Sequence, residues 1–306
     1  MKNFYSIGDL RVTIDGDISN PYFLSLREYF KEKESKESNV PDLNIIVKDE
    51  NESDLFFLPE GFSLSGGIAF NQEWYRVRKD TFSYAVKNLF NENEITELVL
   101  IPKSSRKLNI KRTLSYALST EIGENNRYSR FVSSIANYSC LWYLFAMTFM
   151  KKHSLFVHCG LMAKEGKGIL LTGTGGCGKT STMMELITNS GYSFMAEDFG
   201  ILREDGMLFD MQKKAAIYQT DVRWGNKYLN DAVLNLKGFE KLNWKIKILL
   251  GSNPHHYFKP VEIFGDNITH KAFLEEAFVI KRIPIDNDIE CTKISSLSFA
   301  ERMKSA

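Results

Sequence analysis

Residues 170–182 read LLTGTGGCGKTST, in which four glycines and a lysine stand between an apolar run and a segment that begins like a helix. Residues 173–180 match the phosphate-loop pattern G-x-x-x-x-G-K-[ST] at each defined position. Glycines let the backbone turn so that its N–H groups converge on anionic oxygens, and the positive end of a following helix faces the same oxygens. The stretch therefore predicts a nucleotide phosphate site between a strand and a helix.

The side chains of this loop suggest separate tasks. Lys179 can reach the outer phosphates of a nucleotide, and the Thr180 hydroxyl is a suitable magnesium ligand. Cys177 is interpreted as a residue whose backbone matters rather than its thiol. The predicted ATP-binding residues are Gly173, Thr174, Gly175, Gly176, Cys177, Gly178, Lys179, Thr180 and Ser181.

Two features outside the loop carry further chemistry. His158 lies in the strand-like run LFVHCG before the loop, and Glu197 and Asp198 form an acidic pair in FMAEDFG after the predicted helix. An acidic side chain at the end of a strand beside a phosphate loop is where a magnesium ligand or a catalytic base is needed. The histidine taken alone is better explained as a core residue of an alternating strand.

The run LFVHCGLMAKEGKGILLTGTGGCGKTSTMMELITNSGYSFMAEDFGIL resembles the catalytic core of HPr serine kinases and their relatives. Those relatives include the stand-alone kinases of bacterial peptide-biosynthesis clusters and, more distantly, phosphoenolpyruvate carboxykinases. The resemblance covers residues 153–203, has a weaker echo at FVIKRIPIDNDIECTKISSLSFAERM, and does not extend to the first 110 residues. It implies a kinase core with a mixed sheet, in which a histidine-bearing strand leads by a hairpin into the phosphate loop.

The resemblance also implies roles for individual residues. His158 matches the family histidine near the transferred phosphate. Lys179 and Thr180 match the phosphate lysine and the magnesium hydroxyl. Asp198 matches the acid that accepts the proton of the substrate serine, so the predicted catalytic residues are Asp198, His158 and Lys179, and the predicted metal ligands are Thr180 and Glu197.

Three departures from the family pattern bear on the substrate. Cys159 follows the histidine where the family often has Gly or Ala, and Glu197 replaces the first Asp of the acidic pair with a longer arm. The downstream glutamate that gives a second metal contact has no clear counterpart, although Asp221 is an acid near the right place. These departures argue against HPr itself as the substrate.

Composition narrows the setting of this chemistry. The net charge of +1 in 306 residues gives no support for a general nucleic-acid binder. The four cysteines show no CxxC pair, and the N-terminal run MKNFYSIGDLRVTIDGD is too polar for a signal peptide. The apolar run CLWYLFAMTFM is too short for a membrane span and predicts a buried helix. We therefore expect a cytoplasmic protein without a membrane or nucleic-acid partner.

The pattern along the chain predicts an α/β (α+β) fold in two regions. Residues 1–110 are β-rich, with strand-like runs LRVTIDGD, LNIIVKDE, DLFFLPEG, GGIAFNQEWYRVRKD and ITELVLIPK, and substrate recognition is assigned to them by elimination. Residues 111–306 are assigned to the catalytic domain, although the helical stretch before residue 153 could belong to either half. NPHHYFKP, residues 253–260, is interpreted as a surface loop, with a mobile loop over the active site as the alternative.

The predicted function is transfer of the γ-phosphoryl group of ATP, with Mg²⁺, to a Ser or Thr hydroxyl of a protein or peptide. One alternative is a nucleotide-binding regulatory protein that transfers no phosphate. A carboxykinase-type enzyme and a generic ATPase are weaker alternatives, because further metal ligands are not visible for the first and the histidine has no task in the second. A homo-oligomer remains open.

Overall fold

The structure is a computed structural model of the chain. It describes residues 2–16, 29–30, 33, 40–48, 63–65, 68–71, 73–78, 82–102, 140–223 and 226–281. The chain divides into two compact units, Met1–Lys152 and His153–Ala306. Strands and helices occur in both units, so the predicted mixed α/β class is confirmed.

The described part of the first unit contains one mixed sheet. Its strands are β1 (Lys2–Ile7), β2 (Leu10–Asp15), β3 (Leu43–Val47), β4 (Ser63–Ser65), β5 (Ile68–Phe70), β6 (Trp74–Arg78), β7 (Phe82–Lys87) and β8 (Thr96–Pro102). They lie in the order β1-β2-β3-β8-β7-β6-β5-β4. Strand β3 is parallel to both of its neighbours, and the other neighbouring strands are antiparallel.

Hydrophobic alternation explains why these segments are strands. In β2, Leu10, Val12 and Ile14 are buried on one face, and on the other face Arg11 and Asp15 are exposed while Thr13 is buried. The predicted strands in LRVTIDGD, LNIIVKDE, EWYRVR and ITELVLIPK are confirmed. The predicted strand DLFFLPEG lies outside the described residues.

Helix α1 (Cys140–Lys151) belongs to the first unit. Phe145 is fully buried, with ring centroids 6.4 Å from Tyr29 and 6.5 Å from Phe30, and the Lys151 ammonium donates to the Thr96 hydroxyl at 2.9 Å. These contacts place the helix with the β-rich region, so the two units divide after residue 152, whereas the sequence placed the boundary near 110. Residues 103–139 lie outside the described part. No described helix has the length and apolar character needed to cross a membrane.

The second unit is built on a six-stranded sheet and a separate strand pair. In chain order its strands are β9 (Ser154–Lys164), β10 (Lys167–Thr172), β11 (Ser193–Ala196), β12 (Phe199–Arg203), β13 (Met207–Asp210), β14 (Ala215–Tyr218), β15 (His255–Phe258) and β16 (Lys271–Val279). The sheet has the order β10-β16-β13-β12-β9-β11, and β14 pairs with β15. Among the paired strands that the structure describes in this second unit, only β10 and β16 are parallel.

The long strand β9 organises this sheet. Its first half pairs with β12, and its second half pairs with β10 and β11. The turn from β9 to β10 consists of Glu165 and Gly166, with φ values of 54° and 80°. Positive φ at both central residues is the requirement of a two-residue hairpin turn. The predicted strand, turn and strand before the glycines are therefore confirmed.

The described part of the second unit has five helices: α2 (Lys179–Ser190), α3 (Gln219–Arg223), α4 (Lys227–Leu234), α5 (Gly238–Leu249) and α6 (Pro260–Phe264). Helix α2 ends at Gly191, which has a φ of 71°, as the sequence predicts. Met183 and Ile187 on α2 share one hydrophobic core with Phe194 of β11 and Trp244 of α5. This core holds α2 at the end of strand β10.

The interpretation of residues 253–260 as a surface loop is wrong. Residues 255–258 form β15, which pairs with β14, and Tyr257 and Phe258 are buried. The two prolines at the ends of the segment suggested a loop, but the residues between them can donate to a ladder because they keep their N–H groups. The partner strand lies about 40 residues earlier in the chain, beyond the reach of local patterning.

Candidate functional site

The glycine loop, residues 173–178, connects β10 to α2, which begins at Lys179. Gly173 has a φ of 149°, and a Cβ atom there would lie 2.3 Å from the carbonyl oxygen of Ile280. Gly178, at the N-cap of α2, has a φ of 106° and open space where a Cβ would stand. The first position therefore needs glycine for close packing, and the second needs it for its backbone conformation.

Lys179 lies folded over the glycine loop. Its Nζ donates to the carbonyl oxygens of Gly173 at 2.7 Å and of Thr174 at 3.2 Å. No side chain caps α2 at Gly178, so the first N–H groups of the helix, which form its positive end next to the loop, have no side-chain acceptor there. The loop thus brings together a lysine ammonium, a helix N-terminus and glycine backbone, all of which favour an anion.

Thr180 and Glu197 meet beside the loop. The Thr180 hydroxyl donates to Glu197 Oε1 at 3.2 Å, and the backbone N–H of Ala216 donates to Oε2 at 2.9 Å. Burial raises the pKa of Glu197 to about 8, and the negative charge of Asp198 acts in the same direction. The positive charge of Lys213 opposes this shift, and a cation bound beside Glu197 would favour the ionised carboxylate in the same way.

Asp198 occupies an unusual backbone conformation between β11 and β12. Its φ is 69°, and the Phe199 N–H donates to the Glu197 carbonyl at 2.9 Å, which closes a three-residue γ-turn. Backbone of this kind is strained in residues other than glycine and persists where the surrounding structure holds it. Here the N–H of Cys159 donates to the Asp198 carbonyl at 3.0 Å, which fastens the turn to strand β9.

The Asp198 carboxylate is paired with Lys213. The Lys213 ammonium contacts Asp198 Oδ2, and the two side chains are 7% and 42% exposed, respectively. Lys213 comes from the segment between β13 and β14, where Gln212 has a positive φ of 48°. The structure therefore places an almost buried cation behind a carboxylate that stays accessible to solvent.

His158 lies on β9 opposite Phe199, with 5.8 Å between the two ring centroids. Its pKa is lowered, first by burial and then by the positive charge of Lys179 and of Lys213, while Asp198 opposes the shift. The imidazole is therefore neutral at neutral pH. Strand pairing places His158 next to the Asp198 turn, because Phe199 is its partner on β12 and the Cys159 N–H donates to the Asp198 carbonyl.

The two described cysteines of this region differ in character. Cys159 is 1% exposed, and burial raises the pKa of its thiol to about 12. This side chain is therefore an unreactive part of the hydrophobic core. Cys177 lies half-buried in the glycine loop, where its Sγ would lie 2.9 Å from a Cβ at Gly173. Neither thiol takes part in the polar network around Asp198.

Asp221 lies in the first turn of α3 and near the same network. Its Oδ2 accepts a hydrogen bond from the backbone N–H of Tyr218 at 2.8 Å. Burial raises the pKa of Asp221, and its negative charge contributes to the raised pKa of Glu197. The carboxylate therefore acts on the site electrostatically, and one of its oxygens is engaged by the backbone.

The side chains beside the loop include oxygen donors for Mg²⁺. Thr180 and Glu197 offer a hydroxyl and a carboxylate, which are the oxygen ligands that Mg²⁺ accepts. Within the described residues, no group of three or more His, Cys, Asp or Glu side chains is arranged to hold a metal ion. Because Mg²⁺ commonly takes one or two protein ligands together with phosphate oxygens and water, this donor set fits it in the presence of a nucleotide.

The search for relatives gives no family assignment. No protein-family model matches the chain, and no curated protein matches it.

Lys213 is a residue of the site that the sequence did not predict. Its signal in the sequence is weak, because the lysine pair in MQKKAA has no fixed spacing to the glycine loop or to the acidic pair.

Proposed function

We propose that the chain is an ATP-dependent kinase that transfers the γ-phosphoryl group to a Ser or Thr hydroxyl of a protein or peptide. The observation that carries the proposal is a solvent-accessible Asp198 carboxylate, paired with Lys213, directly after Glu197, which accepts a hydrogen bond from Thr180 of the loop helix. A nucleotide phosphate site alone would need neither a neighbouring carboxylate nor a half-buried histidine.

Binding of the donor falls to the loop and Lys179. Cβ atoms built at Gly175, Gly176 and Gly178 meet no atom within 4 Å, so the loop has open space on the side of these residues. The Lys179 ammonium now satisfies two loop carbonyls and could exchange them for phosphate oxygens by rotation of its own side chain. This arrangement would hold the phosphates and neutralise part of their charge.

Thr180 and Glu197 would hold the magnesium ion. The ion, when bound, supplies positive charge between the phosphates and offsets charge that develops on transfer. Because burial raises the pKa of Glu197, binding of the cation would shift this carboxyl towards its ionised form. Without the ion, the N–H of Ala216 and the Thr180 hydroxyl each donate to one oxygen of the Glu197 carboxyl and hold it in position.

Asp198 would act as the general base. The acceptor hydroxyl oxygen forms a bond to the γ-phosphorus, the bond from phosphorus to the ADP oxygen breaks, and the hydroxyl proton moves to Asp198. Since Lys213 engages Oδ2, the proton-accepting oxygen is Oδ1. His158, neutral at neutral pH, would donate a hydrogen bond that positions the phosphoryl group and would not carry it covalently.

The resemblance to HPr serine kinases supports the same assignment for residues 153–203. A kinase that acts on a protein or peptide also needs a surface that binds the acceptor. We assign this role to the first unit by elimination, because the residues proposed for the chemistry all lie in the second unit. The runner-up is a regulatory protein that binds Mg-ATP without transfer. The replacement of the family's first Asp by Glu197 is the observation that favours it.

The experiment is incubation of the purified protein with γ-labelled ATP, magnesium and a dialysed extract of its own host. Asp198→Asn and Lys179→Ala are run beside the wild type. We expect a labelled, acid-stable protein or peptide band that is lost in both variants, with nucleotide affinity lost only in Lys179→Ala. Tight Mg-ATP binding without any Asp198-dependent label would overturn the kinase in favour of the regulator.

A further inference from the structure

Helix α5 has two apolar sides. On the inner side, Trp244 is 6% exposed, its indole N–H donates to Gln219 Oε1 at 2.9 Å, and Ile248 packs against the same core. The outer side carries four apolar residues with exposed fractions of 51%, 53%, 43% and 85%. We call these residues the α5 stripe: Phe239, Leu242, Ile246 and Leu249.

The spacing of the α5 stripe matches a helix-pairing seam. Its members follow at intervals of three, four and three residues, which is the a/d pattern of a heptad repeat. At 100° per residue they fall within about 80° of the helix circumference, roughly opposite Trp244 and Ile248. Leu250 and, at the end of α4, Leu234 extend the apolar surface, with exposed fractions of 76% and 65%.

Positive charge borders the α5 stripe. Lys241 and Lys245 follow one edge of the stripe, and Lys247 lies on the other side. The one acidic residue of the helix, Glu240, lies on the inner side, where its carboxylate is 3.9 Å from His256. A partner that pairs with this helix would therefore meet lysines at the flanks and apolar side chains at the centre.

We propose that the α5 stripe is a docking surface for an acidic amphipathic helix of a partner protein. The helix would lay its apolar residues along the stripe and set its Asp or Glu side chains against the flanking lysines. This inference does not depend on the proposed kinase activity, because no residue of the stripe belongs to the site around Asp198. It gives the second unit a recognition surface of its own.

Two other occupants fit less well. A second copy of the chain would set Lys245 and its neighbours against the same lysines, and like charges across a helix pair are unfavourable. An anionic membrane surface favours a helix with a broad apolar face, whereas this stripe is as narrow as a coiled-coil seam. Charge and width together favour the acidic helix.

The test measures binding of the full chain to a fluorescent peptide of about three heptads, with leucine at a and d and glutamate at e and g. A peptide of the same composition in scrambled order is the control. We expect the patterned peptide to bind and the scrambled peptide not to bind. The double variant Leu242→Ser/Ile246→Ser should weaken binding of the patterned peptide by at least about tenfold. Leu155→Ser is the matched control variant, because Leu155 is 54% exposed on β9, away from the stripe.

A charge variant separates docking from a general loss of fold. Lys245→Glu should weaken binding of the glutamate peptide and improve binding of the same peptide with lysine at e and g. Equal binding of the scrambled peptide would overturn the proposal. So would a stripe-dependent dimer in sedimentation, or stripe-dependent binding to phosphatidylserine vesicles when the peptide does not bind.

Discussion

Lys213 holds the Asp198 carboxylate from an almost buried position. Its side chain is 7% exposed against 42% for Asp198, and its Nζ also lies 5.3 Å from the centroid of the Phe199 ring. An uncommon backbone conformation occurs at both members of the pair: φ is positive at Asp198 itself and at Gln212, the residue before Lys213. A buried ammonium is unfavourable without a partner, so the pair fixes the carboxylate in one orientation.

The first prediction follows from this pairing. Lys213→Met should lower kcat for phosphoryl transfer by about 10–100-fold while the KM for ATP changes little, because the base loses its orientation and the phosphate loop is untouched. In an Asp198→Asn background the same replacement should have almost no further effect. Steady-state kinetics of the four proteins of this cycle give the coupling between the two residues directly.

The control for this cycle is Lys213→Arg, which keeps a cation beside Asp198 and should retain most of the activity. Purely additive losses would show that Lys213 acts on the fold alone. A wild type without any transfer would count against the kinase itself, not against the pairing.

A second prediction separates two glycines of the loop. Gly173→Ala should lower the free energy of unfolding by about 1–3 kcal/mol, because its Cβ would lie 2.3 Å from the Ile280 carbonyl oxygen and the backbone must move. Gly175→Ala is the matched control, since a Cβ there meets no atom within 4 Å. Chemical denaturation without nucleotide measures both, and equal losses would contradict the close packing at Gly173.

Local chemistry made the core of the site predictable. The turn Glu165-Gly166, the glycine loop and the stop at Gly191 are each encoded by neighbouring residues, so strand, loop and helix follow in the predicted order. The approach of Glu197 to Thr180 depends on β11 lying next to β9, and the acidic pair after the predicted helix was enough to indicate it.

The other features of the fold and the site depend on contacts between residues distant in the sequence, and local patterns do not predict such contacts. Lys213 reaches Asp198 only because β12 and β13 form a hairpin that returns the chain to the loop, and no spacing rule marks such a lysine. Strand β15 exists because β14 supplies its ladder. Helix α1 belongs to the first unit because of contacts made by Phe145 and Lys151. Composition along the chain gives no information about these contacts.

A third prediction concerns the hydroxyl of Thr180. Thr180→Val keeps the shape of the side chain but removes the donor to Glu197 and a candidate magnesium ligand. We expect nucleotide affinity measured with a chelator to change little, while the gain in affinity on adding magnesium falls by about 10–100-fold. Thr180→Ser should preserve the gain. An undiminished magnesium effect in Thr180→Val would remove this residue from the metal site.

The last prediction uses the buried His256 on β15, which is 8% exposed. Burial lowers its pKa to about 4, and the positive charges of Lys214 and His255 add to the shift. Glu240, at 3.9 Å, is too distant for a hydrogen bond that would hold the proton. Unfolded chains take up this proton near the ordinary histidine pKa of 6.5, so the stabilising contribution is complete above that pH and is lost as the pH falls towards 4.

The loss by pH 4 should be on the order of 2–4 kcal/mol in the free energy of unfolding. His256→Phe cannot take up a proton and should remove this part of the pH dependence, whereas His153→Asn, at an exposed position, should keep it. Denaturation curves between pH 7 and pH 4 for the three proteins provide the measurement. An unchanged acid slope in His256→Phe would mean that the lability arises at other groups, such as His158 and His255, whose pKa values burial also lowers from the ordinary histidine value.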